Sequence, residues 1–520
     1  MLISKLQLLV CTLYYLKPIQ FIYRGKFFLR KLFPQKKVWH VDRSMESQIL
    51  IWEDSIYFPK YLADEYTFTF LNLSHSFPNR IDWNWLGHGK LWCYNLNYFE
   101  FLNQKNVNKN LGKKLIDDYI NQISFATIGL EPYPLSLRCL NWIRFFIKYK
   151  LKDKKCDAIL FQQLELLVRK LEYHLLGNHL LENGFALLFG AYYFDNERFY
   201  RQAKRILLPE LKEQTLEDGG NFELSPMYHC TILLRILDSY NLVKNNVLFS
   251  RELLPVFEKY SLKMLGWLGA IVFRNGDIPL FNDAAFQSVP SSLLLFDYAK
   301  RLGIVYEVGD LGESGYRKII NSKFEMVMDA AKVGPDYQPG HAHADTFNFE
   351  LHVNGRPVIV DTGTSTYEVN KNRFYERSTE AHNTVVVNGR NSSEVWSGHR
   401  VGRRAYVTIL EDDNHKLVAY HDGYKSKGIK HIRSFEMINE KIVITDNINS
   451  DAVAYLHFHP AERVELESEK VIVGKDYRIE CEGAVSIKLL NSYYAPEFNK
   501  QVSSVKAEIH FKNRLYTIFK

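Results

Sequence analysis

FNFELHVNGRPVIVDTG, residues 347–363, alternates apolar with other residues on either side of Asn354-Gly355. A period of two marks a strand with one buried face, and Asn-Gly between two such runs marks a tight hairpin. The same pattern extends outward from about residue 323 to the C-terminus. FEMVMDAA, NTVVVNGR, AYVTIL, KLVAYHDGY, IRSFEMINEKIVITDNI, VAYLHFHP, RVELESEKVIVG and YRIECEG alternate or are rich in β-branched residues. Asn388-Gly389 is a second tight-turn signal, and Asn439-Glu440-Lys441 turns another expected hairpin. This half reads as an antiparallel β-sandwich.

Upstream the period changes. From about residue 110 to 305, apolar residues recur at three- and four-residue spacing, as in LGKKLIDDYINQISFA, LSLRCLNWIRFFIKYKL and DAILFQQLELLVRKLEYHLL. Turn residues such as Glu217-Asp218-Gly219-Gly220 break the run. Successive helices with short loops imply a helical array or toroid. At 520 residues the chain is too long for one ordinary core. The fold class expected is therefore multidomain α+β. An extension (1–80) precedes a toroid of helices (81–315) and an antiparallel β-sandwich (316–520), with a cleft between the last two.

Composition narrows function only mildly. The net charge of +7 suits an anionic partner, but no basic run accompanies a nucleic-acid motif, so no nucleic-acid partner is expected. The six cysteines form no CxxC pair and read as buried small hydrophobes. Near the N-terminus, Leu6–Leu16 is mostly apolar but too short to span a bilayer, and no small-x-small cleavage site follows. The basic, aromatic segment after it includes Lys17, Arg24, Lys26, Arg30, Lys31, Lys36 and Lys37. It reads as the first helix of the fold, with peripheral membrane contact as the alternative.

Three polar clusters stand out. In Pro339-Gly340-His341-Ala342-His343-Ala344-Asp345, the two histidines share a face if the segment enters a strand. With Asp361 and His382 further along, two imidazoles and a carboxylate make a zinc-type donor set, and ordinary loop hydrogen bonding is the competing reading. In Asn178-His179-Leu180-Leu181-Glu182, His179 and Glu182 share a helix face, or Asn178 simply caps the helix. Tyr228, in Ser225-Pro226-Met227-Tyr228-His229, would pass for core in so aromatic a chain.

GNHLLENGFAL (177–187), ELSPMYH (223–229), GHAHADTFNFEL (340–351), VIVDTGT (358–364) and RSTEAHNTVVVNG (377–389) together resemble the heparinase II/III family of polysaccharide lyases, alginate-lyase-like relatives included. WNWLGHGKLWCYNLNYFEFL and EPYPLSLRCLNWIRF are similar to its N-terminal helical region, and the resemblance spans roughly residues 80–480. It implies an (α/α) toroid joined to the β-sandwich. It also implies β-elimination on an acidic, uronate-containing polysaccharide, as in bacterial surface-polysaccharide metabolism.

By the same resemblance, Asn178 and His179 neutralise the uronate carboxylate, Tyr228 transfers a proton, and His341 is the base or the partner of Tyr228. Glu182, which could orient His179, and Tyr367 would contact substrate. By residue type alone, Arg377, Arg373 and Arg403 could bind substrate anions through bidentate contacts, with solvated loop arginines as the competing reading. His343, Asp361 and His382 would hold a structural zinc, or another divalent metal. The family points to the periplasm or cell envelope, whereas the missing cleavage signal points to the cytoplasm or a membrane surface. The oligomeric state is left open. Two rivals stand beside the lyase: a uronate C5-epimerase of the same architecture, and a non-catalytic glycan-binding or assembly factor.

Overall fold

In the structure, a computed structural model, residues 2–32, 39 and 46–520 are described. Lys36 and Lys37 of the basic segment lie outside the described residues. Two helices open the chain, α1 (Leu2–Tyr14) and α2 (Pro18–Leu32). A small hairpin of Thr67–Phe70 and Leu73–Ser76 follows.

The helical half comprises α3 (Gly89–Tyr98), α4 (Lys109–Gln122), α5 (Pro132–Lys148), α6 (Lys154–Lys170), α7 (Gly177–Phe194), α8 (Glu197–Gln214), α9 (Pro226–Asn245), α10 (Leu253–Ile271) and α11 (Ser292–Arg301). Burial separates these helices into two kinds. Helices α5, α7 and α9 are buried along almost their whole length. Helix α4 buries only Gly112, Leu115, Ile116, Tyr119 and Ile120, one stripe at helical spacing, and α6 and α8 are similarly one-sided. Inner and outer helices in alternation make the toroid. Side chains fix the starts of the outer helices: Asn108, Asp153 and Asn196 each accept a hydrogen bond from a first-turn backbone N–H.

The C-terminal half holds two large antiparallel sheets and a short two-stranded ribbon, Val395–Trp396 with Arg400–Val401. Four strands run in order Tyr316–Ile320, Phe324–Asp329, Phe349–Val353 and Arg356–Ile359. The other sheet has nine strands, with the long pair Lys441–His457 and Lys500–Phe519 at its centre. Their inner faces share one core, in which Phe349 of the smaller sheet meets Phe435 and Phe519 of the larger. The deciding hairpin closes as read: Val353 pairs with Arg356 across Asn354-Gly355, both at positive φ. At Ile438–Lys441 the turn residues are Asn439 and Glu440 alone, and Lys441 already belongs to the next strand.

The condition for His341 and His343 to share a strand face is not met. Residues 339–345 do not enter a strand; the strand begins at Phe349, and the two histidines sit on a loop.

Candidate active site

A cleft of about 1220 Å³ runs between toroid and sandwich. Asn178, His179, Tyr228, His341 and Tyr367 all line it, with Tyr94, Tyr98 and Tyr133 forming an aromatic wall. Five residues separated by up to 189 positions in the chain thus meet in one place.

Local backbone explains how they are presented. Leu176, Leu224 and Asn282 adopt left-handed backbone, with φ of 65°, 57° and 58°. That region is unfavourable for side chains other than glycine, though least so for Asn. Each turn aims its successors inward. After Leu224, Ser225 caps α9 by accepting from Tyr228 N–H at 3.4 Å, with Pro226 at the first helical position. Asn282 ties the turns together: its Nδ2 donates to Leu224 O (2.8 Å), and its Oδ1 accepts from His343 N–H (2.9 Å).

The hub is Asp283, which the sequence reading passed over. Its carboxylate accepts from His341 Nδ1 at 3.0 Å, His343 Nε2 at 2.9 Å and Arg373 Nη2 at 2.8 Å. Arg373 Nη1 also reaches it. Burial opposes ionisation, but Arg373 and the two histidines hold this carboxyl well below its usual range. Because a carboxylate only accepts, His341 donates through Nδ1, which makes Nε2 the lone-pair nitrogen of the neutral ring. The His341 ring stacks on Tyr228 with centroids 3.8 Å apart. The Tyr228 hydroxyl bonds that of Tyr367 at 3.2 Å. Burial, then Tyr367, Asp283 and Glu223, push the Tyr228 phenol well above its ordinary range. Tyr228 is therefore held as a neutral proton donor.

Across the cleft, Asn178 does not cap α7; Leu176 occupies that position. Instead its Nδ2 donates to Glu223 Oε2 at 2.9 Å, which leaves Oδ1 buried without a partner. His179 Nδ1 bonds Glu172 at 3.2 Å, and its ring lies 4.7 Å from that of Tyr133. Burial alone would lower the His179 imidazole; Glu172, with Glu223 and Glu182 behind it, raises it instead.

Four expected contacts need correcting. Glu182 is fully buried and forms an ion pair with Arg235, at 3.0 and 3.1 Å, so it orients that arginine and not His179. Arg377 is buried and donates to the carbonyls of Ala342, Ser397 and Arg400, which pins the loop carrying His341. Arg373 is committed to Asp283, and Arg403 pairs with Glu394 at the surface. None of these guanidiniums is free for a substrate anion. Glu172, Glu223 and Tyr133 join Asp283 as site residues not singled out in advance. Glu223 and Tyr133 lie within the quoted stretches ELSPMYH and EPYPLSLR.

His343, Asp361 and His382 gather in a buried cluster behind this surface. His382 Nδ1 donates to Asp361 at 2.7 Å, and the two imidazole centroids are 5.4 Å apart. Asp361 also accepts from Asn348 Nδ2 and Gly363 N–H. His343 Nδ1, His382 Nε2 and Asp345 Oδ2 have no hydrogen-bond partner, although buried. Such orphaned lone pairs are costly in a sealed interior and chemically apt for a divalent metal. However, no group of three or more His, Cys, Asp or Glu side chains converges as a metal site among the described residues.

Fold and cleft together define a class: a helical toroid set on an antiparallel β-sandwich, with Asn178, His179, Tyr228 and His341 lining the cleft between them. The Heparinase II/III N-terminus model matches residues 149–300, and the Heparinase II/III-like C-terminal model matches residues 305–520. The chain belongs to the heparinase II/III family. It is 26% identical over 322 residues to a heparin-sulfate lyase of Bacteroides stercoris, covering 55% of this chain and 46% of that protein. A heparin-sulfate lyase of Pedobacter heparinus is 25% identical over 315 residues, covering 54% and 46%. The chain thus spans a little under half the length of these relatives. The crystal structure of heparinase III superposes with a TM-score of 0.67 at 17% identity, covering 84% of this chain and 78% of that one, which establishes the shared fold.

Proposed function

We propose that the protein is a polysaccharide lyase that cuts an acidic, uronate-containing polysaccharide by β-elimination. The observation that carries this reading is the Tyr228–His341 stack, with His341 Nδ1 held by Asp283, facing a cleft that also presents Asn178 and His179. A purely binding cleft has no use for a histidine of fixed tautomer stacked on a buried neutral phenol.

The C5 proton of a uronate is acidic only when the neighbouring carboxylate is neutralised. Raised His179 supplies positive charge there, with Asn178 beside it at the cleft wall. His341 Nε2 then takes the C5 proton. The C–H electron pair becomes the C4–C5 double bond, the C4–O bond breaks, and Tyr228 gives its proton to the departing oxygen. Tyr367, through its hydroxyl contact, holds the Tyr228 phenol in place.

A structural divalent metal, zinc by donor type, belongs to the same proposal, held by His343 and His382 with Asp361 orienting His382. Its role would be to stiffen the loop that carries His341. Support comes from the unpartnered buried nitrogens of both histidines.

Ultraviolet absorbance tests the reaction directly, because the unsaturated uronate absorbs and the substrate does not. On a panel of uronate polysaccharides the wild type should raise absorbance, and Tyr228→Phe should slow the rise by about 10²–10⁴-fold. No rise on any substrate, with deuterium entering C5 from solvent, would assign an epimerase instead.

A further inference from the structure

We propose that the outer face of the α1–α2 hairpin docks on an anionic phospholipid surface, with both helices lying in the interface. The inner face of this hairpin is firmly seated. Trp396 Nε1 donates to Thr12 Oγ1 at 3.2 Å, and the Arg404 guanidinium lies 3.9 Å from the Tyr15 ring centroid. Gln20 Nε2 donates to Leu175 O at 3.2 Å, and Phe27 stacks on His174. The hairpin therefore grips the sandwich through Trp396 and Arg404 and the toroid through His174 and Leu175.

Its outer face is apolar, and no other described residue covers it. Leu6, Val10 and Tyr14 recur every fourth residue along α1 and are 61%, 59% and 83% exposed. On α2, Phe21, Ile22, Phe28, Leu29 and Leu32 form a second stripe, each about half exposed or more. Contiguous apolar surface of this kind on a folded protein marks an interaction site.

Charge identifies the partner. Residues 2–32 hold Lys5, Lys17, Arg24, Lys26, Arg30 and Lys31 and not one Asp or Glu. Lys17 faces inward to Glu213 and Arg24 lines the cleft, whereas Lys5 and Lys26 are exposed. Two copies of such a face would bring cation against cation, which disfavours self-association. Anionic lipid headgroups answer the cations, and acyl chains answer the stripes. Among the described residues neither helix is long enough to span: 13 and 15 residues reach about 20 and 22 Å, short of a hydrocarbon core of about 30 Å. Leu9, Leu13, Leu16 and Tyr23 on the inner side line the cleft. A docked bilayer would thus lie about one helix diameter, roughly 10 Å, from the cleft wall. A glycan held at a membrane surface would be presented to it.

Flotation of the full chain with lipid vesicles tests this, independently of any reaction. With phosphatidylglycerol-containing vesicles the wild type should float, and with phosphatidylcholine alone it should remain largely behind. Ile22→Glu/Phe28→Glu should lower partitioning roughly tenfold or more, with melting temperature and rate on soluble substrate unchanged, since neither side chain lines the cleft. Should that variant fail to fold, Lys26→Glu in the same assay should lower partitioning by about fivefold. Equal binding by wild type and variants, or no flotation with either vesicle, would overturn the proposal. So would a dimer in sedimentation velocity that the double variant dissociates, because the face would then belong to a second copy.

Discussion

Two buried carboxylates in this molecule are surrounded by the same residue types, and only one of them faces a cleft. Asp283 is bonded by Arg373, His341 and His343. Asp446, inside the large sheet, accepts from Arg433 at 2.7 and 2.9 Å and from His431 at 2.6 Å. The Asp446 chain is closed. His431 Nδ1 accepts from His421 Nε2, and His421 Nδ1 accepts from Gly423 N–H, so every imidazole nitrogen is used. The Asp283 chain is open. His341 is 14% exposed against 0% for His431, and its Nε2 stands 3.8 Å from Glu223, beyond hydrogen-bond reach. A histidine–carboxylate–arginine cluster is thus no sign of chemistry by itself. The nitrogen left without a partner at a cleft wall is what separates the cluster we propose for proton transfer from a structural brace.

The largest expected effect that sharpens this contrast comes at Asp283. Asp283→Asn removes the acceptor that fixes the His341 tautomer and leaves Arg373 buried without its counter-charge. Activity per folded molecule should fall by about 10³-fold or more, and stability by about 3–5 kcal/mol, read by chemical denaturation. Asp446→Asn should destabilise by a similar amount while leaving turnover of the folded fraction intact.

Acid titration gives a smaller signal from the closed cluster. Burial would raise the Asp446 carboxyl, but Arg433 and His431 bring it down to about 2. Its folded value thus lies below the unfolded value of about 3.9. Its stabilisation, roughly 2–3 kcal/mol, should be whole above about pH 4 and disappear as pH falls through 2. Thermal melts of wild type and Asp446→Asn should converge over that window.

Smaller still, Glu172→Gln should lower the His179 imidazole and, because His179 acts in its charged form, move the alkaline limb of the pH–rate profile to lower pH, with a few-fold loss of rate. Arg403→Ala, at an exposed pair, should change stability by less than about 1 kcal/mol and leave turnover unaltered.

The same contrast shows what was legible in the chain. Strands announced themselves through a period of two and Asn-Gly turns, and helices through their apolar stripes. The early hairpin at 67–76 escaped because its turn is Leu71-Asn72, both left-handed, with no glycine to mark it. Asn178, His179 and His341 were visible because they cluster in short polar motifs, whereas Tyr228 stood out only through the family resemblance. Asp283 was not visible, since a single Asp in FNDAAF acquires meaning only when residues 341, 343 and 373 fold onto it. The arginines misled for the complementary reason. A guanidinium in a polar loop looks available, yet Arg373 and Arg377 are buried as the loop folds back against residues 342 and 283. Sequence shows which groups are present; burial decides which atoms are left over.

The most direct measurement is the initial rate of ultraviolet absorbance increase on the best uronate polysaccharide, for wild type, Asp283→Asn and Asp446→Asn side by side. Each rate is normalised to the folded fraction from circular dichroism. The Asp283 variant should lose about 10³-fold or more and the Asp446 variant should stay close to wild type. Equal losses at the two carboxylates, or a full rate from Asp283→Asn, would contradict the assignment of proton transfer to the open cluster.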